Sequence, residues 1–339
     1  MENTDFIDIS QLLSTRRRIL ITTHTNPDGD AIGASLALAS YLKKKRHQVW
    51  VMVPDPYPDF LAWMPGTQEV LVYKKQPEIC ENIVNQADVI LAADYNCFDR
   101  INEIGPLARN SRAVKILVDH HLNPSDEFDF RISVSAVSST SELVYNFIEA
   151  NGDLNLMDRE IAENIYTGII TDTGSLSYSC NYIKTYLIVA ELFKLGIDGE
   201  YIHRLVYDTY SESRLRLLGY SISHQLVVLP EFHTAYITLT KSDLDRFHHQ
   251  IGDTEGIVNY ALSIEGINLA ALFMERDGIV KISFRSKGNF SVDCLARDHF
   301  NGGGHRNAAG ANCSTTINET VQLFLKILPQ FQSQLNSVY

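Results

Sequence analysis

The chain has 339 residues, of which 45% are hydrophobic and 21% charged, and its formal net charge is −12. This length exceeds one ordinary hydrophobic core and predicts two domains. The acidic charge argues against a sequence-tolerant binder of long DNA or RNA, because such a protein needs a basic face. The five cysteines are scattered and lack a C-x-x-C pair, which disfavours a disulfide framework or a structural zinc site.

The first half of the chain alternates apolar strands with amphipathic helices. Short apolar runs predict strands at 18–23, 48–53, 88–93 and 114–118. Helical periodicity and capping residues predict helices at 31–45, 138–150 and 158–170. Buried strands separated by helices are typical of an α/β fold with a doubly wound, mostly parallel sheet. We therefore predict a first domain over residues 1–195.

The pattern changes in the second half of the chain. A helical stretch at 184–210 leads to a predicted linker at 196–213. Strand-like runs then follow at 226–229, 234–240, 268–274 and 279–285, and Asp277-Gly278 predicts a hairpin turn between the last two. We therefore predict a smaller α+β domain over residues 214–339. The N-terminal residues lack the pattern of a secretory signal, and the apolar runs are too short to span a bilayer. A cytoplasmic protein without membrane attachment is expected.

Residues 24–30 (HTNPDGD) carry the strongest local signal for chemistry. His24, Asp28 and Asp30 are good metal ligands, and they lie where the first strand gives way to a helix. That position is where open α/β sheets bind ligands. An alternative is that Asp30 merely caps the helix. The motif alone does not separate these two interpretations.

Other acidic and histidine residues follow later apolar elements. Asp94 follows the strand at 88–93, Asp119, His120 and His121 follow the strand at 114–118, and Asp172 follows the helix at 158–170. The carboxyl ends of parallel strands lie on one rim of a sheet, so these side chains are expected to meet the 24–30 loop there. Several such coincidences at one rim favour a metal site over separate caps and turns.

These motifs, together with a late Gly-Gly-Gly-His, resemble the DHH-family phosphoesterases that carry a DHHA1 second domain. Within that family the match is to the NrnA-like branch of nanoRNases and pAp phosphatases, and it covers nearly the whole chain. The resemblance implies two Mn²⁺ ions, with Mg²⁺ or another divalent cation as the alternative. It implies that one ion is held by His24, Asp28 and Asp94, and the other by Asp30, Asp94, His120 and Asp172.

The resemblance also implies roles for residues beside the ions. Asp94 bridges the two ions and, with His121 and Asp119, forms the catalytic group. In this group His121 contacts substrate phosphate and Asp119 orients it. In the second domain, Arg285 offers a bidentate phosphate contact. Close approach of a glycine-rich backbone to an anion is expected at the motif before His305. The residues implied to bind substrate are Arg285, Gly302, Gly303, Gly304 and His305.

The implied substrates are short RNA oligonucleotides, degraded to 5′-mononucleotides, and 3′-phosphoadenosine 5′-phosphate (pAp), rather than long duplex DNA. A soluble phosphodiesterase for cyclic di-AMP or its linear product pApA is the nearest alternative. A nucleotide-binding module without catalysis is the alternative from another class. The sequence leaves a homodimer open.

Overall fold

The computed structural model describes residues 3–178, 180–250 and 252–337. The chain divides into two compact units, Met1–Thr209 and Tyr210–Tyr339. The division falls inside the stretch that we predicted as the linker, while the exact domain limits of 195 and 214 stay a prediction. Among the described residues, every helix is too short or too polar to cross a membrane.

A six-stranded sheet forms the centre of the first unit. All of its neighbouring strands are parallel, and their spatial order is β3-β2-β1-β4-β5-β6. The strands are β1 (Arg18–Thr22), β2 (Gln48–Val53), β3 (Leu71–Val72), β4 (Val89–Ala93), β5 (Val114–Asp119) and β6 (Phe130–Ser133).

Both faces of this sheet are covered by helices. Successive residues of β1 alternate between two hydrophobic cores: Ile19 and Ile21 join one and Leu20 joins the other. Burial on both faces explains why the strands are nearly all apolar. The helices are α1 (Asn3–Leu12), α2 (Gly29–Lys44), α3 (Pro77–Gln86), α4 (Ile104–Asn110), α5 (Thr140–Ala150), α6 (Arg159–Asp172), α7 (Ile183–Lys194) and α8 (Gly199–Tyr207).

The second unit is a mixed sheet with helices on both faces. Its order is β11-β12-β10-β9-β8-β7, and only β8 and β9 are parallel. The strands are β7 (Leu226–Leu229), β8 (Thr234–Leu239), β9 (Leu269–Arg276), β10 (Ile279–Ser286), β11 (Gly303–His305) and β12 (Ala308–Cys313). The helices are α9 (Glu212–Tyr220), α10 (Lys241–Arg246), α11 (Ile257–Leu262), α12 (Val292–Phe300), α13 (Ile317–Ile327) and α14 (Gln332–Asn336).

The predicted fold class is confirmed in both units. The strands predicted at 48–53 and 226–229 agree in both bounds with β2 and β7. The predicted turn joins β9 to β10, and Asp277 and Gly278 both have positive φ, as a tight two-residue hairpin requires. Four strands were not predicted: β3, β6, β11 and β12. They are short or glycine- and alanine-rich, so the apolar alternation that identifies a strand is weak in them.

Candidate metal centre

The predicted ligands converge where the strand order of the first sheet reverses. From β1 the chain moves outward to β2 and β3, and it then returns to build β4, β5 and β6 on the other side. His24 follows β1 and Asp94 follows its neighbour β4, so both lie at the carboxyl ends of the two strands that flank this reversal. Loops at such a point diverge to opposite faces of the sheet and leave a crevice for ligands.

A first group of potential metal ligands consists of His24, Asp28 and Asp94, whose ligand atoms lie within 4.8 Å of one another. His24 Nε2 lies 3.5 Å from Asp94 Oδ2 and 3.9 Å from Asp28 Oδ2. His24 Nδ1 donates to the carbonyl oxygen of Thr25 at 2.9 Å, and a carbonyl oxygen can only accept. Nε2 is therefore the atom that faces the carboxylates, in the orientation of a metal-binding histidine.

Asp28 both caps a helix and faces this group. Its Oδ1 accepts hydrogen bonds from the backbone N–H groups of Asp30 and Ala31, which makes it the N-cap of α2. Its Oδ2 points towards His24. The interpretation of Asp30 as the cap is therefore wrong, because α2 begins at Gly29 and Asp30 is already inside its first turn. Capping and ligation do not compete, since Asp28 uses a different oxygen for each.

A second group consists of Asp30, His120 and Asp172, again within 4.8 Å of one another. His120 Nε2 lies 3.9 Å from Asp30 Oδ2 and 3.5 Å from Asp172 Oδ2. It also lies 3.5 Å from Asp94 Oδ1. The two oxygens of Asp94 therefore face different histidines, with Oδ2 towards His24 and Oδ1 towards His120. Asp94 joins the two groups into one centre, formed by His24, Asp28, Asp30, Asp94, His120 and Asp172.

The N-terminus of α5 holds two of these carboxylates in place. Asp30 accepts hydrogen bonds from the backbone N–H groups of Thr140, at 2.6 Å, and Ser141, at 2.9 Å. The Thr140 hydroxyl donates to Asp94 Oδ1 at 2.8 Å. Asp94 itself has a left-handed backbone with φ of 65°. Such a conformation costs roughly 1–3 kcal/mol in a non-glycine residue and persists where its surroundings fix it.

A buried carboxylate orients the ring of His121, which also lies next to the metal ligands. Its Nδ1 lies 2.7 Å from Asp119 Oδ1, and Asp119 is fully buried at the end of β5. A carboxylate in this position fixes the orientation of the ring. His121 Nδ1 also lies 3.8 Å from Asp94 Oδ1, so the ring is adjacent to the metal centre.

The crowded carboxylates of the centre favour a bound cation. Burial raises the pKa of Asp30 well above its usual range, and the charges of Asp94 and Asp172 raise it further. Burial opposes ionisation of Asp94 too, but hydrogen bonding from His24 and attraction to His121 and His120 outweigh it and lower its pKa. Among the described residues, Asp28, Asp30 and Asp94 form ion pairs only with histidines, and with no lysine or arginine.

The donor set fits divalent metal ions. Four carboxylates and two imidazoles converge in a largely buried site, and hard oxygen ligands with one imidazole per group suit Mn²⁺, Mg²⁺ or a neighbouring divalent ion. His24 presents a nitrogen that already faces two carboxylates. The ligands are thus arranged as they would be around bound cations, and the charges of those cations would offset the repulsion that raises the pKa of Asp30.

Divalent metal is expected to raise the melting temperature of the protein, and to do so more at pH 8 than at pH 5. Without metal, the raised pKa of His24 contributes stability below about pH 6.5, and this is lost as the pH rises through its folded pKa. The raised pKa of Asp30 makes its ionisation increasingly costly in the folded state over the same rise. The lowered pKa of Asp94 contributes fully above about pH 4, so its contribution is constant in this window.

Differential scanning fluorimetry at both pH values, in chelator and in excess Mn²⁺, measures this difference. Metal at a hundred times its dissociation constant stabilises a protein by about 2.7 kcal/mol. His24→Gln serves as the control variant, and its metal-dependent shift should be smaller at pH 8. Equal melting temperatures with and without metal at both pH values would contradict the metal centre.

In the second unit, the predicted substrate residues Arg285 and His305 lie on β10 and β11, on either side of β12. Arg285 of β10 pairs with Ala308 of β12, which in turn pairs with His305 of β11. The glycines before His305 serve close backbone packing: a Cβ on Gly304 would lie 2.5 Å from the carbonyl oxygen of Ala308.

Two of the three glycine N–H groups before His305 are hydrogen-bonded inside the second unit. Gly302 N–H donates to the carbonyl of Ala296, and Gly304 N–H donates to Asp293 Oδ1 at 2.9 Å. These donors are therefore used inside the unit.

Sequence reasoning missed Thr140 and Ser141 as parts of the site. It identified the helix that they begin, but it treated their hydroxyls and N–H groups only as caps. The available signal was a run of hydroxyl residues at 138–141, just before the apolar stretch of α5. The first N–H groups of a helix have no partner within the helix. Here Asp30, which lies on α2, accepts hydrogen bonds from two such groups of α5.

Family models and known proteins match this chain over most of its length. The model of the DHH family N-terminal domain matches residues 18–169, and that of the DHHA1 domain matches residues 246–334. The bifunctional oligoribonuclease and PAP phosphatase NrnA of Bacillus subtilis is 26% identical over 308 residues, covering 90% of this chain and 92% of that protein. The cyclic-di-AMP phosphodiesterase GdpP of Geobacillus thermodenitrificans is 24% identical, covering 93% of this chain but 47% of that protein.

A solved structure covers the same architecture. The crystal structure of an exopolyphosphatase-related protein from Bacteroides fragilis is 40% identical to this chain, with a TM-score of 0.93. The match covers 99% of this chain and 98% of that one. This 40% identity extends over both units, and it agrees with the two family matches and with the NrnA relatives. The chain therefore belongs to the DHH family, as a NrnA-like member with a DHHA1 domain in its second half.

Proposed function

We propose that this protein is a metal-dependent phosphoesterase that degrades short oligoribonucleotides to 5′-mononucleotides and removes the 3′-phosphate of pAp. The observation that carries the proposal is the pair of ligand groups joined through Asp94. Its NrnA relatives, whose names state both activities, support the choice of substrates. A hydrolase of the phosphoesterase type is also consistent with a centre that presents carboxylates and imidazoles.

We assign the ligands to two metal ions. His24, Asp28 and Asp94 would hold one ion, and Asp30, Asp94, His120 and Asp172 the other. Two Mn²⁺ ions are our first choice, because each group combines carboxylates with an imidazole. When bound, such ions polarise phosphoryl oxygens, lower the pKa of water and balance charge on the attacking and leaving oxygens.

The remaining groups position the substrate. Asp119 holds Nδ1 of His121, so Nε2 is the ring atom that we assign to a phosphate oxygen of the substrate. Asp119 keeps the ring in one orientation, so that this contact is already in place as charge develops on the phosphate. In the second unit, we assign Arg285, His305 and the backbone of Gly302, Gly303 and Gly304 to binding the substrate end. We place these functions in a cytoplasmic protein acting on short substrates.

A panel of substrates tests the proposal. Purified protein is incubated with diribonucleotides to pentaribonucleotides, pAp, cyclic di-AMP, pApA and pyrophosphate, in Mn²⁺, in Mg²⁺ and in chelator. We expect release of mononucleotides from short RNA and of AMP from pAp, with activity abolished by the chelator. Preferential cleavage of cyclic di-AMP would indicate the activity named for GdpP instead. Tight nucleotide binding without turnover in any metal would identify a non-catalytic binding module and reject the proposal.

A further inference from the structure

A cavity opens beside His121 and is not used by the chemistry described above. Its volume is about 430 Å³, and it is lined entirely by residues of the first unit. One wall is the loop that follows His121, a second is β6 with the residues after it, and the third is α1. We call it the side pocket, and its residues that matter here are Phe6, His121, Asn123, Arg131, Ser133 and Ser135.

The side pocket is held next to the metal centre by the backbone. Asn96, two residues after Asp94, donates from its side-chain amide to the carbonyl of Leu122 at 2.7 Å. Its own carbonyl accepts the N–H of Ser125 at 2.8 Å. On the opposite wall, Ser133 pairs in register with Asp119, the residue that orients His121. The pocket walls are therefore tied to Asn96 and Asp119, which adjoin the metal ligands Asp94 and His120 in the chain.

The chemistry of the walls suits a nucleoside rather than a phosphate. Phe6 offers a half-buried ring, Arg131 a planar guanidinium that can stack on a base, and Ser133, Ser135 and Asn123 offer groups for ribose or base hydrogen bonds. The charge of the Arg131 guanidinium is offset by Asp126, with which its Nη2 pairs, and the backbone N–H of Arg131 donates separately to Asp5 Oδ2. Since the Asp126 side chain is 98% exposed, its pair with Arg131 is weak and a ligand can replace it.

We infer that the side pocket binds one of the two nucleosides attached to the scissile phosphodiester, and so favours dinucleotides over pAp. The inference rests on the proposed function, in which His121 contacts the scissile phosphate. A phosphodiester has a nucleoside on each side, whereas the 3′-phosphate of pAp has only one. A volume of about 430 Å³ lies within the 300–1,000 Å³ range of small-ligand sites. The second nucleoside of a short RNA would occupy the side pocket beside His121, whereas pAp has no second nucleoside to fill it.

Two pocket variants and one matched control test the inference. Ser135→Trp fills the pocket from an exposed position, and Arg131→Met keeps a long side chain while removing the guanidinium. The control is Arg159→Met, which removes a surface arginine paired with Glu163 at the far end of α6. We expect the ratio of kcat/KM for pApA to that for pAp to fall about tenfold in both pocket variants, mainly through KM. The control should keep the wild-type ratio.

A binding measurement separates failure of the inference from failure of the proposed function. Fluorescence anisotropy of labelled diadenylate in chelator gives a Kd that does not depend on turnover, and this Kd should rise in both pocket variants but not in Arg159→Met. A wild-type protein that binds diadenylate yet cleaves neither substrate would reject the proposed function alone. Pocket variants with unchanged Kd and an unchanged ratio would overturn the inference. So would an equal loss on both substrates, because pAp would then occupy the pocket as well.

Discussion

Replacing Asp94 with asparagine is expected to lower kcat on diribonucleotides by about a thousandfold. Removal of a single electrostatic group from an active site commonly lowers kcat by roughly this factor. The two oxygens of Asp94 face His24 and His120, and Thr140 fixes the carboxylate from a third side. An amide removes the negative charge and presents an N–H₂ group to one of the two ligand groups. Both groups are therefore weakened by a single substitution.

Activity and bound metal should be measured together in this variant. Elemental analysis after dialysis is expected to show less metal per chain than in the wild type. Asp88→Asn is the matched control, since Asp88 precedes the same strand and pairs with Arg18 at a half-exposed site. The control should keep its metal and its activity. Wild-type turnover in Asp94→Asn would remove Asp94 from its assigned place between the two ions.

Replacing Gly168 with alanine is expected to destabilise the protein by roughly 1–3 kcal/mol, as overpacking in a filled core usually does. A Cβ on Gly168 would lie 2.7 Å from Asp30 Oδ1 and would also collide with Ser141. Alanine favours a helix over glycine by about 0.5–1 kcal/mol, so the collision must overcome this gain. Because Asp30 must move, kcat is also expected to fall at least about tenfold, as misplaced catalytic groups commonly show.

Gly219→Ala is expected to change the free energy of unfolding in the opposite direction. Gly219 lies in α9, and a Cβ there meets nothing within 4 Å. This variant is expected to gain about 0.5–1 kcal/mol, because only the helix preference changes. Urea unfolding of both variants against the wild type measures the two shifts. A Gly168→Ala protein as stable and as active as Gly219→Ala would mean that α6 does not pack tightly against Asp30.

The sequence was sufficient to predict the parallel sheet because its strands are buried on both faces. The run 89–93 is apolar at every position, and Asp94 follows it directly. Convergence of Asp94 and His120 then follows from the geometry of parallel strands, whose carboxyl ends share one rim.

Contacts that depend on helix packing could not be predicted in the same way. The hydrogen bonds from Thr140 and Ser141 to Asp30 join residues 110 and 111 positions apart, and no local pattern encodes which helix N-terminus meets which carboxylate. The side pocket is similar, because α1 and β6 form its walls and β6 is too short for its alternation to be recognised. The use of the amide donors of Gly302 and Gly304 likewise depends on Asp293 and Ala296, which belong to a different element.

The position of Asp172 has a consequence for biosynthesis. His24, Asp94 and His120 leave the ribosome well before the last turn of α6, so a growing chain has only part of the ligand set until that turn has formed. Metal capture by the proposed ligand set would thus have to wait until α6 is complete. A nascent chain stalled before residue 172 would be expected to lack firmly held metal, and with it the means to cleave RNA.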